Sequence, residues 1–163
     1  MPPPADRPHF AQTVVAQPAD IDELGHVSNI VYVRWIQDIA TAHWRAVARP
    51  EDIAAFVWVV TRHEIDYARA TLEGETVTLT TWVGTPRGAR FDRYVEITGA
   101  DGKLRASATT VWALVDAATR RALRVPAEVA APFLAARAKG LRRAGQFLSK
   151  MAACTRQFFF VIP

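Results

Sequence analysis

Apolar and polar positions along the chain change their spacing after residue 18 and again after residue 50. Residues 9–17 (HFAQTVVAQ) are rich in β-forming side chains and stop at Pro18, which predicts a first strand. From Ile30, apolar residues recur at positions 33, 36, 40, 44 and 47, and this is helical spacing. The helix is expected to end near Ala48, because Pro50 disfavours helical backbone in the residue before it.

Beyond Pro50 the pattern is typical of strands. In residues 75–83 threonines alternate with Val77, Leu79 and Val83, which is the period of two expected when one sheet face is buried. The Asp101-Gly102 pair is the strongest hairpin signal in the chain. The expected strands cover residues 55–70, 75–83, 89–99 and 103–116, with a further short piece at 121–125 and a helix from Pro126.

This order of elements predicts an α+β domain. One strand and one apolar helix are followed by a four-stranded antiparallel meander, whose sheet has one face to cover. The long helix is the only large element that can cover it, so we expect a curved antiparallel β-sheet wrapped around one long central α-helix. Open sheet edges of this kind invite a partner subunit.

Length and composition fit one globular domain. The chain has 163 residues, of which 50% are hydrophobic and 22% charged. We expect a flexible arm at 1–8, a single domain at 9–136 and a basic extension at 137–163. No membrane span and no secretion signal are predicted. Cys154 is the one cysteine in the chain, and one cysteine cannot form a disulfide framework or a cysteine-based zinc site. A cytoplasmic location is the default expectation.

The net charge of +4 comes from the extension. Six of the 20 basic residues lie from Arg137 onward, where there is no acidic residue, so residues 1–136 hold 14 basic and 16 acidic side chains. A nucleic-acid surface on the domain is therefore not predicted. The extension has two interpretations. It is a basic amphipathic segment that binds a membrane surface or an acidic carrier protein, or it is a frayed segment. Its triple Phe at 158–160 is also suited to packing against a neighbouring subunit.

The stretch DIDELGHVSNIVY (20–32) carries more polar chemistry than helix entry needs. The first N–H groups of a helix lack intrahelical partners and carry the positive end of its dipole, so they can hold the oxygen of a polarised carbonyl. A carboxylate delivered to the same point is the arrangement that acyl transfer needs. Gly25 permits a tight turn there, and His26 adds a group that titrates near neutrality.

Each of these residues also has a purely structural interpretation. Asp20 or Asp22 can cap a helix or close an Asx-turn, and Asn29 can be an N-cap or first-turn residue. His26 can be a structural hydrogen-bonding group, and His63 the polar member of an alternating strand. A metal site that draws on Asp22, His26 and His63 lacks any recognised ligand spacing, so no metal is expected.

The motif D-x-D-x-x-G-H-V-x-N-x-x-Y-x-R-W, from Asp20 to Trp35, resembles the opening of hotdog-fold acyl-CoA thioesterases of the 4-hydroxybenzoyl-CoA thioesterase type. Residues 62–83 are similar to that family's second strand, turn and third strand, and the resemblance extends over residues 8–135. It implies the hotdog fold, in which a sheet wraps around a central helix. Two departures are Ser28, where many members have asparagine, and Asp38, where their helix often has glutamate.

The resemblance also implies roles for single residues. Asp22 matches the catalytic carboxylate, as nucleophile or as general base on water, and the backbone N–H of Asn29 matches the donor that polarises the thioester carbonyl. Gly25 matches the glycine that keeps the loop tight, and the side chains of His26 and Asn29 match polar positions around the reacting carbonyl.

Further residues are candidates for contacts with the substrate. Arg87 and Arg90, in the turn TPRGARF (85–91), match a loop whose basic residues often meet the phosphates of coenzyme A, and guanidinium groups suit phosphate geometry. Thr61 and His63, on the predicted second strand, are added as candidate substrate-binding positions.

The resemblance therefore implies an acyl-CoA thioesterase that acts as a homodimer or a dimer of dimers on a small-molecule acyl-CoA. It needs no metal or organic cofactor, since coenzyme A is part of the substrate. Two alternatives stay open: a non-catalytic module that binds acyl-CoA or an acyl carrier, and a thioesterase that acts on acyl carrier protein.

Overall fold

A five-stranded antiparallel sheet is the framework of the protein, in a computed structural model that describes residues 7–134. Most of the predicted arm and the whole predicted extension 137–163 lie outside the described residues. The strands are β1 (Phe10–Val15), β2 (Phe56–Tyr67), β3 (Thr76–Val83), β4 (Arg90–Gly99) and β5 (Leu104–Asp116). The helices are α1 (Asn29–Val47), α2 (Pro50–Ala55) and α3 (Ala127–Leu134).

Helix α1 is the central element, as predicted. Its N-cap is Ser28, whose hydroxyl oxygen accepts a hydrogen bond from the Ile30 N–H at 3.3 Å. Its apolar stripe is buried and contributes Trp35, Ile36 and Ile39 to the core. Each fully buried aliphatic side chain of this size contributes about 1.5–3 kcal/mol to folding.

The sheet wraps its inner face around α1. In β4, Phe91, Val95 and Ile97 are buried on the inner face and alternate with half-exposed residues on the outer face. The pairing of β3 with β4 continues this alternation across the sheet. Leu79 lies opposite Ile97 on the inner face, and the neighbouring pair, Thr80 and Glu96, lies on the outer face. The predicted period of two is therefore confirmed, and with it the α+β architecture of a sheet around one helix.

The strand order differs from the predicted meander. The order is β1-β3-β4-β5-β2, so only β3, β4 and β5 form a meander, and β2 pairs with β5 instead of β3. The reason is that β3 already has two partners, β1 on one side and β4 on the other. Strand β2 is left at the edge next to β5, and residues 68–75 carry the chain across to β3.

Two local features differ from what the sequence predicted. Residues 121–125 form only an isolated bridge between Ala122 and Val115, not a strand. The short helix α2 was not predicted. It begins at Pro50. In its first turn the Asp52 carboxylate accepts two hydrogen bonds from the Arg49 side chain, one from Nε and one from Nη2, both at 2.8 Å.

The core has two apolar clusters with a polar layer between them. One cluster surrounds the first half of α1, and the other, which includes Val83 and Phe91, surrounds its second half and is closed by Phe133 of α3. Four buried polar residues lie between the clusters: His43, Thr81, Arg93 and Thr110.

Candidate active site

The loop before α1 is a closed hairpin that delivers its side chains to the start of the helix. Ile21 and Val27 form a β-bridge, and the Asp22 N–H donates to the His26 carbonyl at 2.9 Å. Gly25 has a φ of +82°, and a Cβ placed there would meet no atom within 4 Å. The glycine is therefore needed for its left-handed backbone, not for space.

Asp20 anchors this hairpin to the fold. Its buried carboxylate accepts hydrogen bonds from the Gln17 N–H at 2.9 Å and from Nη2 of Arg34 on α1, and its carbonyl accepts from the Ser28 N–H at 2.9 Å. Burial raises the pKa of Asp20, but the hydrogen bond from Gln17 and the charge of Arg34 outweigh it, so the pKa lies below its usual value. Asp20 therefore has a structural role, in agreement with its structural interpretation.

Asp22 and His26 face each other on the hairpin. Oδ1 of Asp22 accepts the Leu24 N–H at 2.9 Å, which closes an Asx-turn, and it lies 3.8 Å from Nδ1 of His26. The two side chains are 33% and 40% exposed. No described residue donates a hydrogen bond to Oδ2 of Asp22. One oxygen of the carboxylate thus shapes the turn, and the other is open to a ligand or water.

The start of α1 offers a free backbone donor beside this hairpin. Ser28 is the N-cap and Asn29 is the first residue of the helix. Ser28 accepts hydrogen bonds from the N–H groups of the next residues. Its hydroxyl oxygen accepts from Ile30, and its carbonyl oxygen accepts from Val31 and Tyr32. The N–H of Asn29 has no acceptor among residues 7–134, and Asn29 is exposed. A donor in this position, at the positive end of a 19-residue helix, is suited to an oxyanion.

Thr71 fixes the hairpin from behind, and the sequence analysis missed it. Its carbonyl accepts the Val27 N–H at 2.9 Å, and its hydroxyl accepts the Tyr32 O–H at 2.9 Å. The side chain of Thr71 is fully buried. Only its three-dimensional partners reveal this role, since one threonine in YARATLEG is an ordinary loop residue by sequence.

Apolar side chains are exposed around the same hairpin. Leu24 and Ile30 are 73% and 80% exposed, and Leu72 and Tyr67 are about half exposed. Leu24 belongs to the hairpin, Ile30 to the first turn of α1, and Leu72 follows the buried Thr71. Exposed apolar groups clustered at a polar site are typical of a surface that a ligand or a subunit covers.

The predicted coenzyme A contacts lie at the other end of the subunit. Arg87 and Arg90 form an isolated bridge in the turn between β3 and β4, next to the cluster around the second half of α1. A 19-residue helix is about 28 Å long, so within one subunit these arginines do not join the hairpin. Nη2 of Arg87 is paired with Oδ2 of Asp92 at 2.6 Å, and Arg90 is exposed.

Thr61 and His63 lie on β2, which together with β1 forms the edges of the described sheet. The register between β2 and β5 shifts between Val60 and Arg62, so Thr61 is the extra residue of a bulge, and its hydroxyl donates to the Val111 carbonyl at 3.1 Å. Neither residue touches the hairpin by any contact recorded between described residues. Both lie on an edge strand of the described sheet.

Metal-ligating side chains are scattered over the part of the chain that the structure describes. No three His, Cys, Asp or Glu side chains among residues 7–134 cluster as a metal site requires. No helix in the same range has both the length and the hydropathy to cross a membrane.

Known proteins resemble this chain in sequence and fold. The model of the thioesterase-like superfamily matches residues 16–133. A chloroplastic acyl-(acyl-carrier-protein) hydrolase, FATB3, from Cuphea viscosissima is 35% identical over 74 residues, which cover 45% of this chain and 18% of that relative. The 1,4-dihydroxy-2-naphthoyl-CoA thioesterase Slr0204 from Synechocystis superposes with a TM-score of 0.67 at 17% identity, over 77% of this chain and 96% of that one. A mutant 4-hydroxybenzoyl-CoA thioesterase, solved with 4-hydroxybenzoyl-CoA, gives a TM-score of 0.70 at 15% identity, over 77% and 98%.

Proposed function

The chain belongs to the thioesterase-like superfamily, and from this premise we propose that it hydrolyses the thioester bond of an acyl-CoA to a free acid and coenzyme A. The observation that carries the proposal is the hairpin that ends in α1. It presents the open Oδ2 of Asp22 together with the unbonded N–H of Asn29. A base or nucleophile and an oxyanion donor are the two groups that thioester hydrolysis needs.

In the general-base form of the reaction, Asp22 takes a proton from water while the water oxygen attacks the carbonyl carbon. The carbonyl oxygen becomes an oxyanion that the Asn29 N–H and the dipole of α1 stabilise. Collapse of this intermediate breaks the C–S bond, and the departing thiolate takes the proton from the carboxylic acid of Asp22, which gives the free thiol and regenerates the carboxylate. General-base assistance is typically worth about 10²–10⁴-fold in rate, and one oxyanion donor about 10²–10³-fold.

In the nucleophilic form, the Asp22 carboxylate itself attacks the carbonyl and displaces the thiolate. The mixed anhydride that results is then hydrolysed by water, which regenerates the carboxylate. In either form His26 is a polar neighbour of the reacting carboxylate, since its Nδ1 lies 3.8 Å from Oδ1 of Asp22. Gly25 holds the hairpin in the conformation that both forms require.

A homodimer would complete the site. Strand β2 has an open edge 12 residues long, and pairing with β2 of a second copy about a two-fold axis is an economical way to cover it. The axis would reverse the second subunit, so its Arg87 and Arg90 would come to the end of the dimer that holds the first subunit's hairpin. The exposed Leu24 and Ile30 support this arrangement, since a partner or a bound acyl chain would cover them.

A second candidate function is hydrolysis of acyl groups from an acyl carrier protein. It is favoured by the sequence match to a carrier-protein hydrolase, although the chain spans only 18% of that relative's length. The end of the subunit with Arg90 also carries Arg124, because the hydrogen bond from the Val125 N–H to the Gly88 carbonyl brings the preceding residue, which is exposed, beside that turn. Such a surface suits an acidic partner protein.

Thiol release from a panel of short, long and aromatic acyl-CoAs tests the proposal. We expect release with at least one of them, and only weak dependence on salt. Release from the carrier-bound acyl group alone, with strong loss of rate on added salt, would instead support the second candidate. Thermal stabilisation by acyl-CoA without release of thiol from any substrate would mean a non-catalytic binding module.

A further inference from the structure

The outer face of the sheet, which turns away from α1, holds a groove that the proposed reaction does not use. Its volume is about 530 Å³. Two rows of side chains line it. Glu64, Thr109, Tyr94 and Trp82 form one row from β2 to β3, and Asp66, Ser107 and Glu96 form the other from β2 to β4. The hairpin with Asp22 is on the inner side of the sheet and does not line this groove.

The groove is acidic with an aromatic floor. Glu64, Asp66 and Glu96 line it, and Arg7 is the one basic residue from the described range that does. Arg62 neutralises Glu64 through a 2.6 Å ion pair, but no ion pair between described residues is recorded for Asp66. The rings of Trp82 and Tyr94 stack with their centroids 5.7 Å apart. Trp82 is buried, so the half-buried ring of Tyr94 is the aromatic surface that the floor offers.

We propose that this groove receives the basic segment 137–163 of the same chain. The charges are complementary, since the segment has six basic residues and no acidic one, while the remainder of the chain has more acidic than basic residues. The segment also has phenylalanines at 147 and 158–160, which match an aromatic floor. Arginine and lysine bind such a surface through ion pairs and through cation–π contacts.

The described chain ends in α3, which packs on the inner side of the sheet near the end of β3 that borders the groove. Phe133, one residue before the end of α3, packs in the same apolar cluster as Val83, and Val83 also lines the groove. Strand β1 pairs with β3 only as far as Thr81, and beyond that residue Nη1 of Arg7 donates to the Val83 carbonyl at 2.9 Å. Residues 135–163, at about 3.3 Å per extended residue, are long enough to cross strands that lie about 4.8 Å apart.

Zero-length carbodiimide cross-linking of the full chain tests this placement, because the chain has only three lysines, at 103, 139 and 150. We expect Lys139 or Lys150 to be joined to Asp66, Glu64 or Glu96, and the yield to fall as salt is raised. Lys103, two residues from Asp101, supplies an internal control within the described fold. Links from the segment only to carboxylates outside the groove would overturn the proposal, and so would links from the Met1 amine in place of the two lysines.

A matched pair of variants gives a second readout. Asp66→Lys reverses a charge in the groove, and Glu73→Lys makes the same change in the connection between β2 and β3, outside the groove. We expect trypsin to cleave after Arg142 and Arg143 several-fold faster in Asp66→Lys than in wild type, with Glu73→Lys unchanged. Equal rates in both variants contradict the proposal. If Asp66→Lys does not fold, the wild-type cross-links decide.

Mixing ¹⁵N-labelled with unlabelled protein before cross-linking identifies which copy supplies the segment. Links within one isotopic species support docking on the same chain. Links that combine labelled and unlabelled peptides would show that a second copy fills the groove, which overturns the proposal as stated. None of these outcomes depends on thioester hydrolysis.

Discussion

At the residue scale, the least expected feature of the fold is a guanidinium buried against an imidazole. Nη1 of Arg93 lies 3.1 Å from Nδ1 of His43 and 3.0 Å from the hydroxyl of Thr81. Burial lowers the pKa of Arg93 to about 10, so it stays charged at neutral pH. Because that guanidinium can only donate, Nδ1 of His43 must accept, and the ring is neutral.

The first prediction concerns the stability that depends on His43. Burial, and then the charge of Arg93, lower the pKa of His43 to about 3 in the folded protein, against about 6.5 unfolded. Between these values the unfolded chain binds a proton that the native protein does not. The free energy of unfolding should therefore fall as pH drops through this window, by up to about 1.4 kcal/mol per pH unit from this group.

Urea unfolding of wild type and His43→Asn at pH 7, 6 and 5 checks this. Asparagine keeps an acceptor for Arg93 but does not titrate, so the slope of stability against pH should be shallower in the variant. His63, whose pKa burial also lowers, remains in both proteins and adds the same dependence to each. Identical slopes would contradict a neutral, buried His43.

Individual residues also show which parts of the candidate site could be predicted from the sequence. The motif named Asp22, Gly25 and His26 as candidates, and the structure holds them in one hairpin because they are close together in the chain. Asp20 was interpreted only as a residue that caps a helix or closes an Asx-turn, because its partner Arg34 is 14 residues away and only the folded chain brings the two together. Thr71, 39 residues from Tyr32, could not be found for the same reason.

At the element scale, the sequence patterns predicted α1 and all five strands, but not how the strands pair. Periodicity reports which face of a strand is buried, whereas pairing depends on contacts between distant parts of the chain. The partners of β2 and β5 illustrate this: Phe56 lies opposite Asp116, 60 positions away. The hairpin before α1 forms from neighbours, so it can be tested as an element.

Gly25→Ala and Gly74→Ala are a matched pair for that test. Both glycines have positive φ, +82° and +75°, and a methyl group added at either would meet no atom within 4 Å. Each substitution should lower the free energy of unfolding by about 1–2 kcal/mol, because alanine is strained in left-handed backbone. Only Gly25→Ala should also lower kcat for thioester hydrolysis, since it displaces Asp22. Equal kcat in the two variants would show that hairpin conformation does not matter to the reaction.

At the scale of the whole molecule, the separation of the hairpin from Arg87 and Arg90 is the main consequence of the topology. The family resemblance implied that these residues contact the same substrate, and nothing in the sequence shows that the length of α1 lies between them within one subunit. A single subunit brings the acidic hairpin to one end and the arginine-rich turn to the other. Only a second subunit, reversed by a two-fold axis, would restore the predicted combination.

Mixed dimers test this directly. One subunit carries Asp22→Asn and the other Arg87→Gln with Arg90→Gln, and the hybrid is purified through two different tags. If each site uses Asp22 of one subunit and the arginines of its partner, one site of the hybrid has both lesions and the other has none. The hybrid should then recover about half of the wild-type kcat/KM. If the residues act within one subunit, both sites are impaired and no activity returns.

The central claim is that Asp22 carries out thioester hydrolysis beside the start of α1, and single-turnover thiol release by Asp22→Asn tests it most directly. The control is Glu23→Gln, which removes the adjacent exposed carboxylate. With the best acyl-CoA substrate, Asp22→Asn should be slower than wild type by about 10²–10⁴-fold, while Glu23→Gln stays near wild type. Both variants should keep the wild-type circular dichroism spectrum. A folded Asp22→Asn variant that releases thiol at the wild-type rate would contradict the account.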